Sequence, residues 1–324
     1  MSKFSEFGND LYSGKRSINF VGRRNIFYVI AGVMIALAIA LPALRGGFNL
    51  GIDFKGGSEF RLDGISQTSQ QTAIDAVHSV VPNKEVTATS VGTSSLRVQT
   101  EQLSDTNSEA VRVALAKAYN IDSSKVASSF IGANWGTDVT GKALNGLIVF
   151  IVLAAILMAL YFRTLKMSAA AMIALLHDLV ITAGVYGALG FEVTPAAVIG
   201  FLTILGYSLY DTVVVFDKIR ENTFEVEFSE TATFAERVNL AINQTLVRSI
   251  NTSVVAVLPV ASILFIGATL FGAGTLRDIS LALFIGIVVG TYSTIFIAAP
   301  IYSQLREKES KYATAAAKVL AARA

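Results

Sequence analysis

The sequence predicts an α-helical polytopic membrane protein with six transmembrane helices and one small α+β domain outside the bilayer. Three observations carry the prediction. Apolar residues make up 53% of the 324 and charged residues only 15%, a balance outside the usual range of soluble globular chains. Predominantly apolar runs able to cross about 30 Å of hydrocarbon, roughly 20 residues at 1.5 Å each, recur six times along the chain. One long interval, between the first two runs, instead has the polarity of a soluble domain.

Residues 1–25 form a basic segment, and residues 26–44 the first span. Ala40 and Ala43 resemble a signal-cleavage site, but the apolar stretch outlasts a usual signal core, so a retained anchor is expected. Residues 45–142 are read as the extramembrane domain. Strands are expected near 58–62, 85–91, 95–100 and 125–131, with helices near 69–81 and 105–119. A doubled strand–helix–strand unit of this kind predicts a ferredoxin-like module.

The remaining spans are placed at 143–162, 167–189, 195–216, 250–271 and 279–302, with a loop at 217–249 and a tail at 303–324. Within the loop, Thr233 and Glu236 have capping-box spacing and lead Phe234, Val238, Ala241 and Ile242 along one face. Two readings fit: a surface helix at the membrane boundary, or a docking helix for a cytoplasmic partner.

Basic residues collect in alternate connections. Lys3, Lys15, Arg16, Arg23 and Arg24 precede the first span, Arg163 and Lys166 follow the second, and Lys218, Arg220, Arg237 and Arg248 follow the fourth. The connection at 190–194 has no base. This asymmetry puts both termini in the cytoplasm and residues 45–142 outside. The absence of cysteine excludes disulfides and thiolate chemistry, and a formal charge of +2 gives no support to a nucleic-acid role. No cofactor or metal is expected.

Charged groups at bilayer depth cost at least about 2.5–3.5 kcal/mol and normally face protein or water. Asp211 lies inside the fourth span with Thr203, Tyr207 and Ser208 on neighbouring turns, so the helix carries a polar stripe. Asp178, preceded by His177 and followed one turn later by Thr182, lies inside the third span, and two readings stand evenly: a functional carboxylate, or a packing residue whose neighbour His177 points elsewhere on the helix. Arg248 opens the fifth, with Asn251 and Thr252 continuing its face. Asp211 and Arg248 then exchange partners as a proton arrives and leaves, or form a static ion pair that holds two helices together. Gly286 and Gly290 form a small-xxx-small packing face. The segment from Asn49 to Gly57 reads as a glycine-jointed hinge in which Gly51, Gly56 and Gly57 permit tight turns and Asp53 can accept a partner.

The GIDFKGG segment at 51–57, VIGFLTILGYSLYDTVVVFDKIREN in span four, LLHD at 175–178, VRSINTS at 247–253 and LRDISLALFIGIVVGTYSTIFIA at 276–298 occur in order along the chain. Together they resemble the SecF branch of the SecD/SecF family, within the resistance-nodulation-division superfamily. The resemblance implies a non-enzymatic subunit of the bacterial inner membrane that uses the proton motive force to assist export of unfolded polypeptides. It implies SecD as the partner completing a twelve-span unit, the SecYEG channel with SecA, and YajC and the insertase YidC as further associates beside membrane lipids. By motif it assigns proton coupling to Asp211 and Arg248, with Asp178 the further candidate, and a signature role to Gly51, Asp53, Gly56 and Gly57. Tyr210 departs from the asparagine that often precedes the aspartate. Two other readings remain at this stage, a half-size exporter of lipids or small hydrophobic molecules and a structural scaffold.

Overall fold

Helix dominates the computed structural model, which describes residues 3–224, 226, 231–267 and 274–323. Among the described residues, six helices are long and apolar enough to cross a membrane, so the chain is a multi-pass membrane protein. They begin with α2 (Arg24–Leu44), α6 (Ala133–Phe162), α7 (Leu165–Leu189) and α8 (Pro195–Asn222). The fifth span is α9 (Phe234–Ser262), extended by a π-helical turn at Ile263–Gly267. The sixth runs through α10 (Gly274–Ser293), a second π-helical turn (Thr294–Ala298) and α11 (Ala299–Glu307).

The spans are not equivalent. In their most apolar windows the third, fourth and sixth are 56%, 44% and 56% buried, against 17%, 11% and 6% for the first, second and fifth. Spans three, four and six are therefore the bundle core, and the others present Leu, Ile and Val side chains outward. Since lipid is as apolar as leucine, close backbone approach decides such packing. A Cβ on Gly286 would strike the side chain of Ile204, and one on Gly290 would lie 3.1 Å from Cβ of Ser208. The small-xxx-small face thus seats span six on span four.

The extramembrane domain holds β2 (Gly57–Asp63), α4 (Gln70–His78), β3 (Val86–Val91), β4 (Ser95–Thr100), α5 (Asp105–Tyr119) and β5 (Val126–Ile131). The sheet order is β3-β4-β2-β5 with every pair antiparallel, as the doubled unit predicts. Ser69 and Ser104 cap the two helices through their side chains, satisfying backbone donors that a helix start leaves open. Alternation turns Phe60, Leu62, Leu96 and Val98 to one face, where they are fully buried with Val77, Val111 and Leu115. Each such side chain contributes about 1.5–3 kcal/mol as an upper figure. The other face carries Glu59, Arg61, Arg97 and Gln99.

Several expected boundaries move. Span two begins at Ala133, so residues 133–142 belong to its helix: the helix outlasts the apolar run that marked it. Span four continues to Asn222 for the same reason. The helix expected on the membrane surface after Thr233 is the first half of α9, continuous with span five, because no glycine or proline interrupts it before Pro259. Its capping box is present, with Glu236 Oε2 accepting from the Thr233 backbone at 2.8 Å and Thr233 Oγ1 from the Glu236 backbone at 3.3 Å. The expected end of span five at 271 lies outside the described residues.

The terminal segments also fold. Helix α1 (Lys3–Tyr12) precedes an extended stretch in which Asn239 Oδ1 accepts from the backbone of Phe20 and Val21, and Asn243 Oδ1 from that of Ile18. Helix α12 (Ser310–Arg323) returns Tyr312 onto Phe234 and Arg323 onto Glu236.

Candidate functional site

Two buried carboxylates lie in the bundle core. Asp211 is 5% exposed, and its Oδ1 accepts a hydrogen bond from Ser249 Oγ of span five at 2.9 Å. Its Oδ2 is buried without a hydrogen-bond partner among the described residues. Arg248, next in chain to Ser249, is exposed on the outer side of α9 and makes no ion pair with Asp211. The static pair expected as one reading is therefore not formed. Neighbouring positions on a helix point about 100° apart, so the turn that brings Ser249 onto Asp211 leaves Arg248 beside the carboxylate and out of ion-pair contact with it.

Asp178 is 2% exposed, and its Oδ2 accepts from Ser208 Oγ at 2.5 Å and from Ser293 Oγ at 2.8 Å. Three core spans thus meet on one carboxylate. Gly290 helps make this possible, because a Cβ there would lie 3.1 Å from Cβ and 3.2 Å from Oγ of Ser208, the hydroxyl that donates to Asp178. Of the two readings of His177, the one that points it elsewhere is not what is found: its Nδ1 lies 3.2 Å from Asp178 Oδ1, and the ring is buried near that of Tyr292.

Further hydroxyl groups link the spans that carry these carboxylates to their neighbours. Tyr207 donates to Ser253 Oγ at 3.3 Å, Ser253 and Thr291 hydroxyls are 2.5 Å apart, and those of Thr212 and Thr294 are 3.0 Å apart. Thr294 opens the π-helical turn of span six, the kind of helix irregularity that gathers at functional positions. The stripe predicted on span four therefore splits. Tyr207 and Asp211 face span five, Ser208 faces span three, Thr203 bonds its own helix and Tyr210 is exposed at 57%. The Tyr210 side chain thus points away from the core that holds Asp211.

The glycine signature forms a second constellation where the extramembrane domain meets the bundle. Residues Asn49 and Leu50 (β1) pair in parallel with Glu192 and Val193 (β6), and the Gly51 backbone donates to Val193 O at 2.9 Å. A Cβ on Gly51 would lie 2.9 Å from Glu192 Oε1, and one on Gly57 2.6 Å from Thr100 O. Gly56, at φ 77°, ends the short helix α3 (Ile52–Lys55) in a left-handed conformation that glycine favours. Asp53, half-buried in that helix, has its carboxyl held above the usual aspartate range by burial, then by the Glu192 charge, with Arg97 opposing.

Residues that sequence reasoning passed over are Ser249, Ser293 and Glu192. The serines are ordinary in a membrane helix, and only the carboxylates opposite them reveal their use. Glu192 stood in a five-residue connection noted for having no base.

The chain matches a family model for the C-terminal region of the SecD/SecF protein export membrane proteins over residues 111–308, and one for the SecD/SecF GG motif over residues 46–63. It is 42% identical to the protein translocase subunit SecF of Streptomyces coelicolor, with 100% of this chain and 86% of that one covered. It is 41% identical to the SecF subunit of Mycobacterium tuberculosis H37Rv, covering 93% and 70% respectively. The crystal structure of SecDF from Thermus thermophilus, described as a translocon-associated membrane protein, superposes with a TM-score of 0.76 at 30% identity, covering 90% of this chain and 39% of that one. With the bundle, the glycine-jointed loop and these relatives in agreement, the chain belongs to the SecD/SecF family of protein export membrane proteins.

Proposed function

We propose that this chain is the SecF half of a proton-coupled accessory to the Sec translocase, using the transmembrane proton gradient with SecD to help complete export of unfolded polypeptides. The observation that carries the reading is Asp211, a buried carboxylate held by one hydroxyl and bearing one unpartnered oxygen, with Arg248 on the adjoining residue of its partner helix. Protonation removes a charge that the bilayer penalises. A rotation of span five exchanges Ser249 for Arg248 opposite the ionised form. Asp178 is a second carboxylate poised for the same exchange, since hydroxyls of two other spans and an imidazole surround it.

A SecD partner is supported by the SecDF structure, in which this chain matches 39% of a longer polypeptide. It is supported also by Arg248 and Asn251, exposed polar residues on a peripheral span that a neighbouring protein covers better than lipid does. The expected orientation follows from the basic connections: both termini in the cytoplasm, the chain in the bacterial cytoplasmic membrane and the α+β domain outside. The remaining partners are the SecYEG channel with SecA, and YajC and YidC. No metal or cofactor enters the reading.

Proton flux in proteoliposomes tests it directly. Vesicles holding this chain together with SecD should conduct protons on imposing a gradient, and the chain should co-purify with the channel from native membranes. Absence of both flux and association overturns the reading, while flux linked to lipid efflux favours the exporter instead.

A further inference from the structure

The sheet of the extramembrane domain turns its polar face, not its apolar one, toward the bundle. Arg97 Nη2 donates to Glu192 Oε2 at 3.0 Å, and Gln99 Nε2 donates to Glu192 Oε1 at 2.9 Å, so both carboxylate oxygens are engaged from alternate residues on one face of β4. Gln99 Nε2 also donates to Glu59 Oε2 at 2.9 Å. The Arg97 and Glu192 side chains retain only 19% and 14% exposure, so the pair is shielded from solvent far better than an ordinary surface ion pair. Glu192 belongs to the two-residue strand that pairs with the segment entering the glycine loop, where Gly51 leaves room for its carboxylate.

Glu192 also stands where the carboxylate-bearing spans converge. It lies three residues past the end of span three and three before the start of span four, with no flexible linker between them. Thr194 caps span four through the Ala197 backbone and donates to Asp278 Oδ2 of span six at 2.9 Å. Tyr186 of span three donates to the Asp278 carbonyl at 2.9 Å. Spans three, four and six, which share Asp178 through side chains near their middles, are thus pinned together again at the end that meets the sheet.

We propose that Glu192 is a positioning residue: it fastens the extramembrane domain to the bundle and transmits relative movement of spans three and four to the sheet through Arg97 and Gln99. The transmission half rests on the proton-coupled reading above. The fastening half does not. Displacing either span moves β6 as a unit, and the two hydrogen bonds from β4 oblige the domain to follow or to break a shielded charge pair.

Because the chain has no cysteine, two spin labels can be placed at chosen positions without background labelling of this chain. Lys117→Cys on α5 and Leu276→Cys at the start of span six are both exposed and report the domain relative to the bundle by pulsed electron–electron resonance, using the full chain with its SecD partner in nanodiscs. The expected result is a narrow distance distribution that Asp211→Asn shifts. Glu192→Gln broadens the distribution and abolishes the shift. Exchanging the charges, Arg97→Glu with Glu192→Arg, restores the narrow distribution, which separates a lost contact from misfolding. A distribution in Glu192→Gln as narrow as the parent's overturns the fastening. A shift that persists in Glu192→Gln overturns the transmission. If Asp211→Asn shifts nothing in the parent, transmission and the Asp211 reading fail together, while the width comparison still decides the fastening.

Discussion

Replacing Asp211 by asparagine separates proton coupling from packing. Asparagine keeps an oxygen where Oδ1 accepts from Ser249 at 2.9 Å, adds no volume and breaks no ion pair, since Arg248 forms none with Asp211. Stability then changes by no more than about 1 kcal/mol, the net value of one hydrogen bond. The functional loss is larger. One charge crossing 100 mV supplies about 2.3 kcal/mol, on the order of a fiftyfold change in a rate that uses all of it. The assay is completion of translocation into energised membrane vesicles, with and without an ionophore, at matched amounts of assembled protein. The parent should slow on ionophore addition and Asp211→Asn should start at the slowed rate. If the ionophore slows the variant as much as the parent, Asp211 is a packing residue and the coupling argument is refuted.

The other predictions are these. Arg248→Met should assemble normally, because the exposed side chain makes no ion pair with Asp211, yet should lose ionophore sensitivity in the same vesicles. Asp178→Ala should lower stability in detergent unfolding by a few kcal/mol, because Ser208 and His177 each lose their acceptor at about 1–3 kcal/mol, while Ser293 retains Gly290 O at 3.1 Å; Asp178→Asn should stay near the parent. Gly286→Leu should cost about 1–3 kcal/mol by collision with Ile204, and Ile204→Ala in the same chain should recover part of it, a cycle readable by thermal unfolding. Asp53 favours its protonated form in the fold, so its contribution to stability is complete below the ordinary aspartate value of about 3.9 and declines as pH rises through the raised one. Thermal unfolding of Asp53→Asn across that window should be flatter than the parent's; equal slopes would remove Asp53 as the titrating group.

Helical period and strand alternation are local, and the elements they mark were legible from the residues. The apolar runs marked six crossings because hydrocarbon demands length and hydropathy whatever the helices pack against. The strand and helix order of the extramembrane domain was legible for the same reason, since Phe60, Leu62, Leu96 and Val98 alternate as the pleat requires. The GG segment announced a joint through its glycines, and Asp211 announced itself by its cost in lipid. Helix ends were less legible: Ala133 and Asn222 extend past their apolar runs because a helix continues wherever its backbone is satisfied, in water as in lipid.

Azimuth was not legible at all. From the residues alone, the fourth span carries a carboxylate and a polar stripe, and the fifth opens with an arginine. It took the packed bundle to show that Ser249, not Arg248, turns toward Asp211, that Ser208 and Ser293 converge on Asp178 across Gly290, and that Glu192 receives the polar face of the sheet. The physical reason is that a period of 3.6 residues states which side chains share a face but not which neighbour that face meets. That choice is made by close packing between spans distant in sequence, where a missing Cβ on one helix admits a side chain from another.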